Sequence, residues 1–431
     1  MRPKPSPRFI LVAIVAVYVA LGILYAAFTP IWQIPDEPAH YNYIRALAEG
    51  RGLPVIEPGD YDQAYLGRLT TENFPPQLPV DAVEYEDHQP PLYYLLATPV
   101  YLLFGGALLP LRLLSVLFGA ALLLVAFGTV RAVFPTRSDL ALMTAAFIAF
   151  IPQHVAMTAG VENDALAELI VGGTLWALAI YIGERRERPW PIGLLLAAAL
   201  LTKPQAYVAI GVAVVAVAIR WRQESRAARW AVGQLAWMLV PALLISAPWF
   251  IRNGLTYGWA DPLGLARHDE VVAGQMRTSE FLALYGWAAY WERALAFTFQ
   301  SFWGQLGWMA VPLPIPVYRA LALLSLLLAA GFVTHLVRHC PRLFPSSLLL
   351  AFSALFTLST YVWYNLTFVQ HQGRYLFPAL IPIGTAAALG LSELVRILPQ
   401  RVRTWGLVAF FAGLASFDVY CLFKSIPFLT R

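Results

Sequence analysis

Four groups of residues have the types and spacing to do chemistry. The first is Ile34-Pro35-Asp36-Glu37-Pro38-Ala39-His40-Tyr41-Asn42-Tyr43, two adjacent carboxylates between prolines. Neighbours on a turn or helix point in different directions. One site would therefore use them differently, one taking a proton from an attacking hydroxyl and the other positioning a partner or a metal. His40 follows Asp36 by four and shares its face if a helix begins near Pro35. The plainer reading is helix capping, an Asp before the helix and a Glu in its first turn. The second group is Asp87-His88-Gln89-Pro90-Pro91-Leu92-Tyr93-Tyr94, which also reads as a proline stop before a helix. The third, Gln153-His154 with Glu162-Asn163-Asp164, interrupts long apolar runs. The fourth is cationic: Arg112, Lys203 in Leu-Thr-Lys-Pro, Arg252 before Asn253, and Arg374 in Gln370-His371-Gln372-Gly373-Arg374-Tyr375. Arginine grips phosphate with a two-pronged fork and lysine acts as a compact point charge. Snorkelling to the membrane surface is the ordinary alternative for each.

The elements that must carry these groups are membrane helices. The 431 residues are 59% hydrophobic and 13% charged, against about 25% charged in soluble domains. Mean hydropathy is +0.61. Apolar runs such as Phe9 to Thr29, Leu140 to Gly160 and Leu343 to Leu366 reach spanning length. These features exclude a soluble enzyme, a disordered chain and a collagen-like one, and argue against a β-barrel, whose strands alternate in short segments. Cys340 and Cys421 make neither a disulfide framework nor a metal cluster. The basic residues punctuate loops, which suggests membrane anchoring and no nucleic-acid partner.

The expected fold is all-α and polytopic, with about 11–13 spans. The basic start, Met-Arg-Pro-Lys, places the N-terminus in the cytoplasm, and 9–29 is read as an uncleaved first span. Residues 30–90 then form an extracytoplasmic loop with juxtamembrane helices. They hold eleven acidic residues and three basic ones, Arg45, Arg51 and Arg68. Residues 91–251 form a helical core, 252–308 a second outer loop rich in Trp and Tyr, and 309–431 the C-terminal helices. The arginines at 185–188, 220–229, 338–342 and 396–403 read as cytoplasmic. The parity of the loops then requires Pro91 to Phe104 to lie along or dip into the outer face, the alternative being that 190–202 fails to cross. No repeat or separate soluble domain is evident. An acid-rich loop opposite cations at the outer membrane face suits an anionic lipid headgroup attacked by a hydroxyl from outside. A positioned base contributes about 10²–10⁴-fold to such a reaction.

At these motifs the chain resembles the polytopic C-type-fold glycosyltransferases, which use polyprenyl-phosphate sugars and include protein O-mannosyltransferases and aminoarabinose transferases. The resemblance runs in order along nearly the whole chain: Pro35 to Tyr41, His88 to Tyr93, Arg112-Leu113-Leu114-Ser115, Asn163-Asp164, Leu201-Thr202-Lys203, and Gln372 to Pro378. It implies that Asp36 or Glu37 is the general base and Asp164 a second carboxylate. It implies that Arg112, Lys203 and Arg374 contact the lipid phosphate. His40, Tyr41, His88, Gln89, Asn163, Arg252, Gln372 and Tyr375 stand in or beside these groups as further candidates for substrate contact. Gln89 stands where some relatives have lysine. Asp36 and Asp164 are the candidate ligands if Mg²⁺ or Mn²⁺ takes part. The implied activity is inverting transfer of a sugar from a polyprenyl-phosphate donor to an extracytoplasmic envelope glycan, lipid or protein, at the bacterial inner membrane. A flippase for lipid-linked sugars and a non-enzymatic envelope assembly factor are the rival readings. Lys203, between two apolar runs, is the feature a transporter would share.

Overall fold

The computed structural model describes residues 6–184, 188–339 and 345–430. Arg2, Lys4, Arg185, Arg186, Arg342 and Cys340 lie outside the described residues. Ser6 caps α1 (Pro7–Phe28), its hydroxyl accepting from the Phe9 N–H, and Pro7 fills a first-turn position. The outer loop contributes α2 (Glu37–Ala48) and α3 (Gln63–Thr71), followed by α4 (Leu92–Leu103) and α5 (Leu108–Val133). Next come α6 (Ser138–Ala149), α7 (Pro152–Thr158), α8 (Asp164–Glu184), α9 (Trp190–Leu200), α10 (Val208–Glu224) and α11 (Ala228–Tyr257). The second loop holds α12 (Leu265–Val271) and α13 (Thr278–Trp303), and α14 (Ile315–His339), α15 (Ser347–Thr367), α16 (Leu380–Leu394) and α17 (Gln400–Leu429) complete the chain. Among the described residues, strand structure is limited to Gln305–Leu306 paired with Val311–Pro312.

The chain is an all-α, multi-pass membrane protein. Among the described residues nine helices are long and apolar enough to cross a membrane, and α6 with α7 makes a tenth, bent by 68°. The bend precedes Pro152, which cannot continue the hydrogen-bond ladder. With the short helix α9 counted as a crossing these make eleven among the described residues, at the lower end of the expected eleven to thirteen. α9 has 11 residues, yet it carries the chain from the far end of α8 back to the end where Lys203 pairs with Asp164. α4 behaves as the loop parity required. Its start is tied to Leu201, whose carbonyl accepts from the Leu92 N–H, and the turn after it to α2, through Tyr41 Oη on the Gly106 carbonyl. Both contacts lie at the α2 end of the bundle. The second loop presents Trp259, Tyr285, Trp287 and Trp291 outward, as expected of an aromatic belt.

One buried ion pair joins three of these elements. Arg112 on α5 donates from Nε and Nη2 to the two Glu37 oxygens at 2.8 and 2.6 Å. Its other three N–H bonds go to the carbonyls of Ala26, in the last turn of α1, and of Thr29 and Pro30 just past it. Glu37 also accepts from the N–H groups of Trp32 and Val161. All five guanidinium donors are used, and the carboxylate has four partners. Both side chains are almost fully buried. Removing one partner of such a pair strands the other charge and costs about 3–5 kcal/mol. Glu37→Gln is thus expected to lower thermal stability in detergent sharply; melting at the wild-type temperature would contradict this structural role.

Candidate active site

Asp36 stands at the N-cap of α2 but makes no capping bond. Its backbone is left-handed, φ 65°, which costs a non-glycine residue about 1 kcal/mol. That conformation turns the Asp36 carboxylate away from the helix while Glu37 points inward to Arg112. Oδ1 of Asp36 accepts from Tyr85 Oη at 2.7 Å and Oδ2 from Arg374 Nη2 at 2.5 Å. Burial alone would raise the Asp36 carboxyl, but Arg374 and the Tyr85 bond hold it below the usual carboxylate range.

Arg374 lies in the 3-10 turn Gly373–Ala379. The turn presses against α13: the Gly373 N–H donates to Ser301 Oγ at 2.8 Å. A Cβ on Gly373 would sit 2.3 Å from the Phe302 nitrogen, so this approach needs glycine. Arg374 Nε donates to Gln372 Oε1 at 2.7 Å and Nη1 to Glu162 Oε1 at 2.9 Å. Three of its five N–H are thus accounted for. Burial first, and Asp164 second, push the Glu162 carboxyl up.

The second cation arises from a proline break. Lys203 precedes Pro204 and is extended, φ −164°, as a residue before proline prefers. The break ends α9 at the level of the Asp164 carboxylate, with which Lys203 Nζ forms an ion pair. Asn163 steadies this corner by donating to Gln89 Oε1 and the Thr202 carbonyl.

Two cavities meet at Asp36. One, of about 210 Å³, faces the loops and is lined by Gln372, Tyr61 and Trp308 among others. The other, of about 340 Å³, reaches past His88, Gln89 and Lys203 to Thr360, Trp363 and Thr367 on α15. Trp363 is exposed on the lipid-facing surface of that spanning helix. Six residues line both cavities: Asp36, Glu86, His268, Tyr364, Arg374 and Tyr375.

The structure thus brings together Asp36, Asp164, His88, Gln89, Lys203, Gln372, Arg374 and Tyr375, with Asn163 beside them. Five expected contacts lie elsewhere. Glu37 and Arg112 saturate each other in the clasp, which leaves Arg112 no donor for a phosphate. His40 is buried behind the site, its Nδ1 bonded to Tyr94 Oη at 2.8 Å. Burial and the Lys203 charge push that imidazole down to about 3, so it is neutral. Tyr41 joins α2 to the α4–α5 turn. Arg252 binds the carbonyls of Leu53 and Pro54, fastening the first loop to α11. Glu86, Tyr85, Tyr364 and His268 enter the site without having been singled out for it, and Glu162, named with its motif, joins it as a partner of Arg374. Glu86 adjoins the Asp87-His88 motif, and His268 sits in a short charged run, Arg267 to Glu270, within an otherwise aromatic loop; these were the available signals. Burial, with the Asp36 charge next, raises the Glu86 carboxyl.

Among the described residues no three His, Cys, Asp or Glu side chains converge as metal ligands. Asp36 and Asp164, the candidate ligands, each face a cation.

Asp87 gives a pH test of the loop that supports the site. Burial, followed by the charges of Glu84 and Asp60, pushes its carboxyl up to about 9. Between its unfolded value near 4 and 9 the folded state holds the extra proton, so this group's contribution to stability falls as pH rises. Asp87→Asn is expected to flatten the pH dependence of melting, with its advantage over wild type growing from pH 5 to pH 8. Parallel curves for the two proteins would contradict the assignment.

Comparison with known proteins agrees with this architecture. Residues 88–251 match the family model described as dolichyl-phosphate-mannose-protein mannosyltransferase. Curated proteins gave no sequence match. The structure is similar to ArnT from Cupriavidus metallidurans bound to undecaprenyl phosphate, at 15% identity and TM-score 0.54, over 97% of this chain and 73% of that one. It is also similar to the apo oligosaccharyltransferase of Archaeoglobus fulgidus, at 12% identity and TM-score 0.54, over 97% of this chain and 55% of that one. The chain therefore shares the polytopic helical fold of these two membrane proteins.

Proposed function

We propose that this chain is an inverting glycosyltransferase of the bacterial inner membrane, moving a sugar from a polyprenyl-phosphate donor to an extracytoplasmic acceptor. The observation that carries this reading is the place of Asp36. It lies between a cavity that reaches a membrane-spanning helix and holds Lys203 and Arg374, and a cavity that faces the loops. A base positioned between a lipid-side cationic pocket and an outer chamber is what transfer from a lipid phosphate requires. The match to a dolichyl-phosphate-mannose transferase family over residues 88–251 and the fold shared with an undecaprenyl-phosphate-bound ArnT support the donor class. The orientation is supported by arginines, among them Arg131, Arg137, Arg220, Arg222 and Arg338, at the end of the bundle away from Asp36.

In this reading the donor enters from the bilayer past α15. Its phosphate takes the two free N–H groups of Arg374 and the ammonium of Lys203. The acceptor hydroxyl gives its proton to Asp36 as its oxygen attacks the anomeric carbon from the face opposite the phosphate. The bond from carbon to phosphate oxygen breaks, the configuration inverts, and polyprenyl phosphate leaves with the electron pair. Cations fixed in a water-poor site oppose the departing charge without reorganising. The phosphate also competes with Asp36 for Arg374. As the guanidinium turns to the donor, Asp36 loses the charge that holds its carboxyl down and becomes a better base.

The test is a transfer assay in detergent with a panel of polyprenyl-phosphate sugars and envelope extract, followed by mass spectrometry. Asp36→Asn is expected to lower turnover about 10²–10⁴-fold while the folded variant still binds donor. Full turnover by a folded Asp36→Asn protein would rule out this role. The same assay in EDTA, with Mg²⁺ or Mn²⁺ then restored, is expected to retain turnover throughout, because Lys203 and Arg374 already supply the positive charge; rescue by added metal would place an ion in the mechanism.

A further inference from the structure

The loop-facing chamber has an outward continuation. A second cavity of about 270 Å³ lies against the first loop and shares Tyr61, Leu66 and Tyr85 with the chamber beside Asp36. We propose that this cleft binds the acceptor and that the acceptor is a saccharide. The proposal rests on the glycosyltransferase reading and names the acceptor class for that site.

The lining carries the argument. Four glutamines, Gln63, Gln275, Gln370 and Gln372, line the chamber together with the carboxylates of Asp36 and Glu86. The outer cavity adds Asp60, Asp62 and the rings of Tyr61, Tyr65 and Tyr85. A sugar ring presents C–H groups on its faces and hydroxyls around its rim. Aromatic rings cover the first, and amides and carboxylates bond the second, an amide both donating and accepting. No lysine or arginine lines the outer cavity among the described residues, so an anionic headgroup there would meet carboxylates alone. A peptide is usually held by a free strand edge or an apolar groove. The outer cavity is built from two stretches of loop and the start of α3, so it offers no free strand edge.

The rings are held in place before any ligand arrives. Tyr65 Oη donates to the Pro79 carbonyl at 2.7 Å, and Tyr61 packs edge-on to Tyr85 at 5.5 Å. Asp62 caps α3 through Oδ1, accepting from the Ala64 and Tyr65 N–H groups, which leaves Oδ2 free of that duty. Tyr85 bonds to Asp36 itself. A sugar seated along this row therefore brings a hydroxyl to the base at its inner end.

The experiment uses the full-length protein in detergent, the donor it consumes and the envelope extract, and it identifies the labelled product before titrating that acceptor fraction. The expected product carries the new sugar on a glycan or on the glycan part of a glycolipid, and survives protease. Tyr65→Ala should raise the acceptor KM roughly five- to ten-fold with the donor KM unchanged. Tyr65→Phe, which keeps the ring and loses the bond to Pro79, should restore the wild-type value. Asp62→Asn, which still caps α3, should raise the acceptor KM without lowering the melting temperature. A protease-sensitive labelled peptide, or an acceptor KM indifferent to Tyr65→Ala, overturns the saccharide cleft and leaves the transferase reading standing. If Tyr65→Phe is as impaired as Tyr65→Ala, the residue acts by holding the loop, and the stacking role is overturned. If wild-type protein consumes no donor, the transferase reading fails and the cleft assignment with it.

Discussion

The site depends on the buried pair between Glu37 and Arg112. Arg112 ties the carbonyls at the end of α1 to the first residue of α2, and Glu37 reaches on to the backbone before α8. The junction of α1 and α2, α5 and the backbone before α8 are thereby fixed around one turn. Only with that turn held can Asp36 stay in a left-handed conformation with its carboxylate facing outward. The adjacent carboxylates divide the work: the first meets the cavities, and the second anchors the backbone that aims it. A single acidic residue in this loop would have to do both, and a carboxylate held by two guanidinium donors and two backbone N–H groups is committed to the scaffold.

Charge balance explains why so many ionisable groups survive burial here. Arg374 bridges Asp36 and Glu162, and Lys203 faces Asp164. Uncompensated, any of these would be expensive in a low-dielectric setting. Together they form a network of two cations and three carboxylates, in which the proposed donor phosphate would compete for the same cations. The cationic pocket is thus already built without donor, at the cost of competition from the protein's own anions. The contrast between the two arginines follows from their surroundings. Arg112 is surrounded by carbonyls at the end of a helix and is closed. Arg374 sits on a turn with cavities on both sides and stays partly open.

Much of this was legible in the sequence, and the reasons for the rest are physical. The all-α membrane fold followed from composition and apolar run length, and the Pro35 to Tyr43, His88 to Tyr93 and Gln372 to Pro378 motifs all flank the site. Which segments cross was less legible, because hydropathy does not show that α9 stops before the Pro204 break while the chain still completes its passage. The choice between Asp36 and Glu37 stayed open because it turns on one φ angle. The structural partners of Arg112 were hidden because a sequence shows a cation near a membrane end, but not the carbonyls of Ala26, Thr29 and Pro30 that fill three of its donors. Those of Arg252 and Tyr41 were hidden for the same reason, being backbone atoms of distant segments. Glu86 and His268 were passed over because a charged residue in a charged stretch of loop looks solvated; only the fold turns them toward Asp36.

The arrangement of the two cavities bears on how a reactive donor is kept from water. The six residues shared by both form a partition, with Tyr364 and Tyr375 packed edge-on to each other at 5.4 Å beside Asp36 and Arg374. In the proposed reaction Arg374 lowers the basicity of Asp36 until a donor phosphate competes for the guanidinium. Donor binding would then weaken that hold with the anomeric carbon in place. In that scheme whatever occupies the space next to Tyr85 and Asp36 would receive the sugar, so filling that space with acceptor is the remaining condition for transfer over hydrolysis. A partition that couples the base to the donor phosphate, together with a chamber that the acceptor must fill, makes transfer depend on both substrates being present without requiring a moving lid.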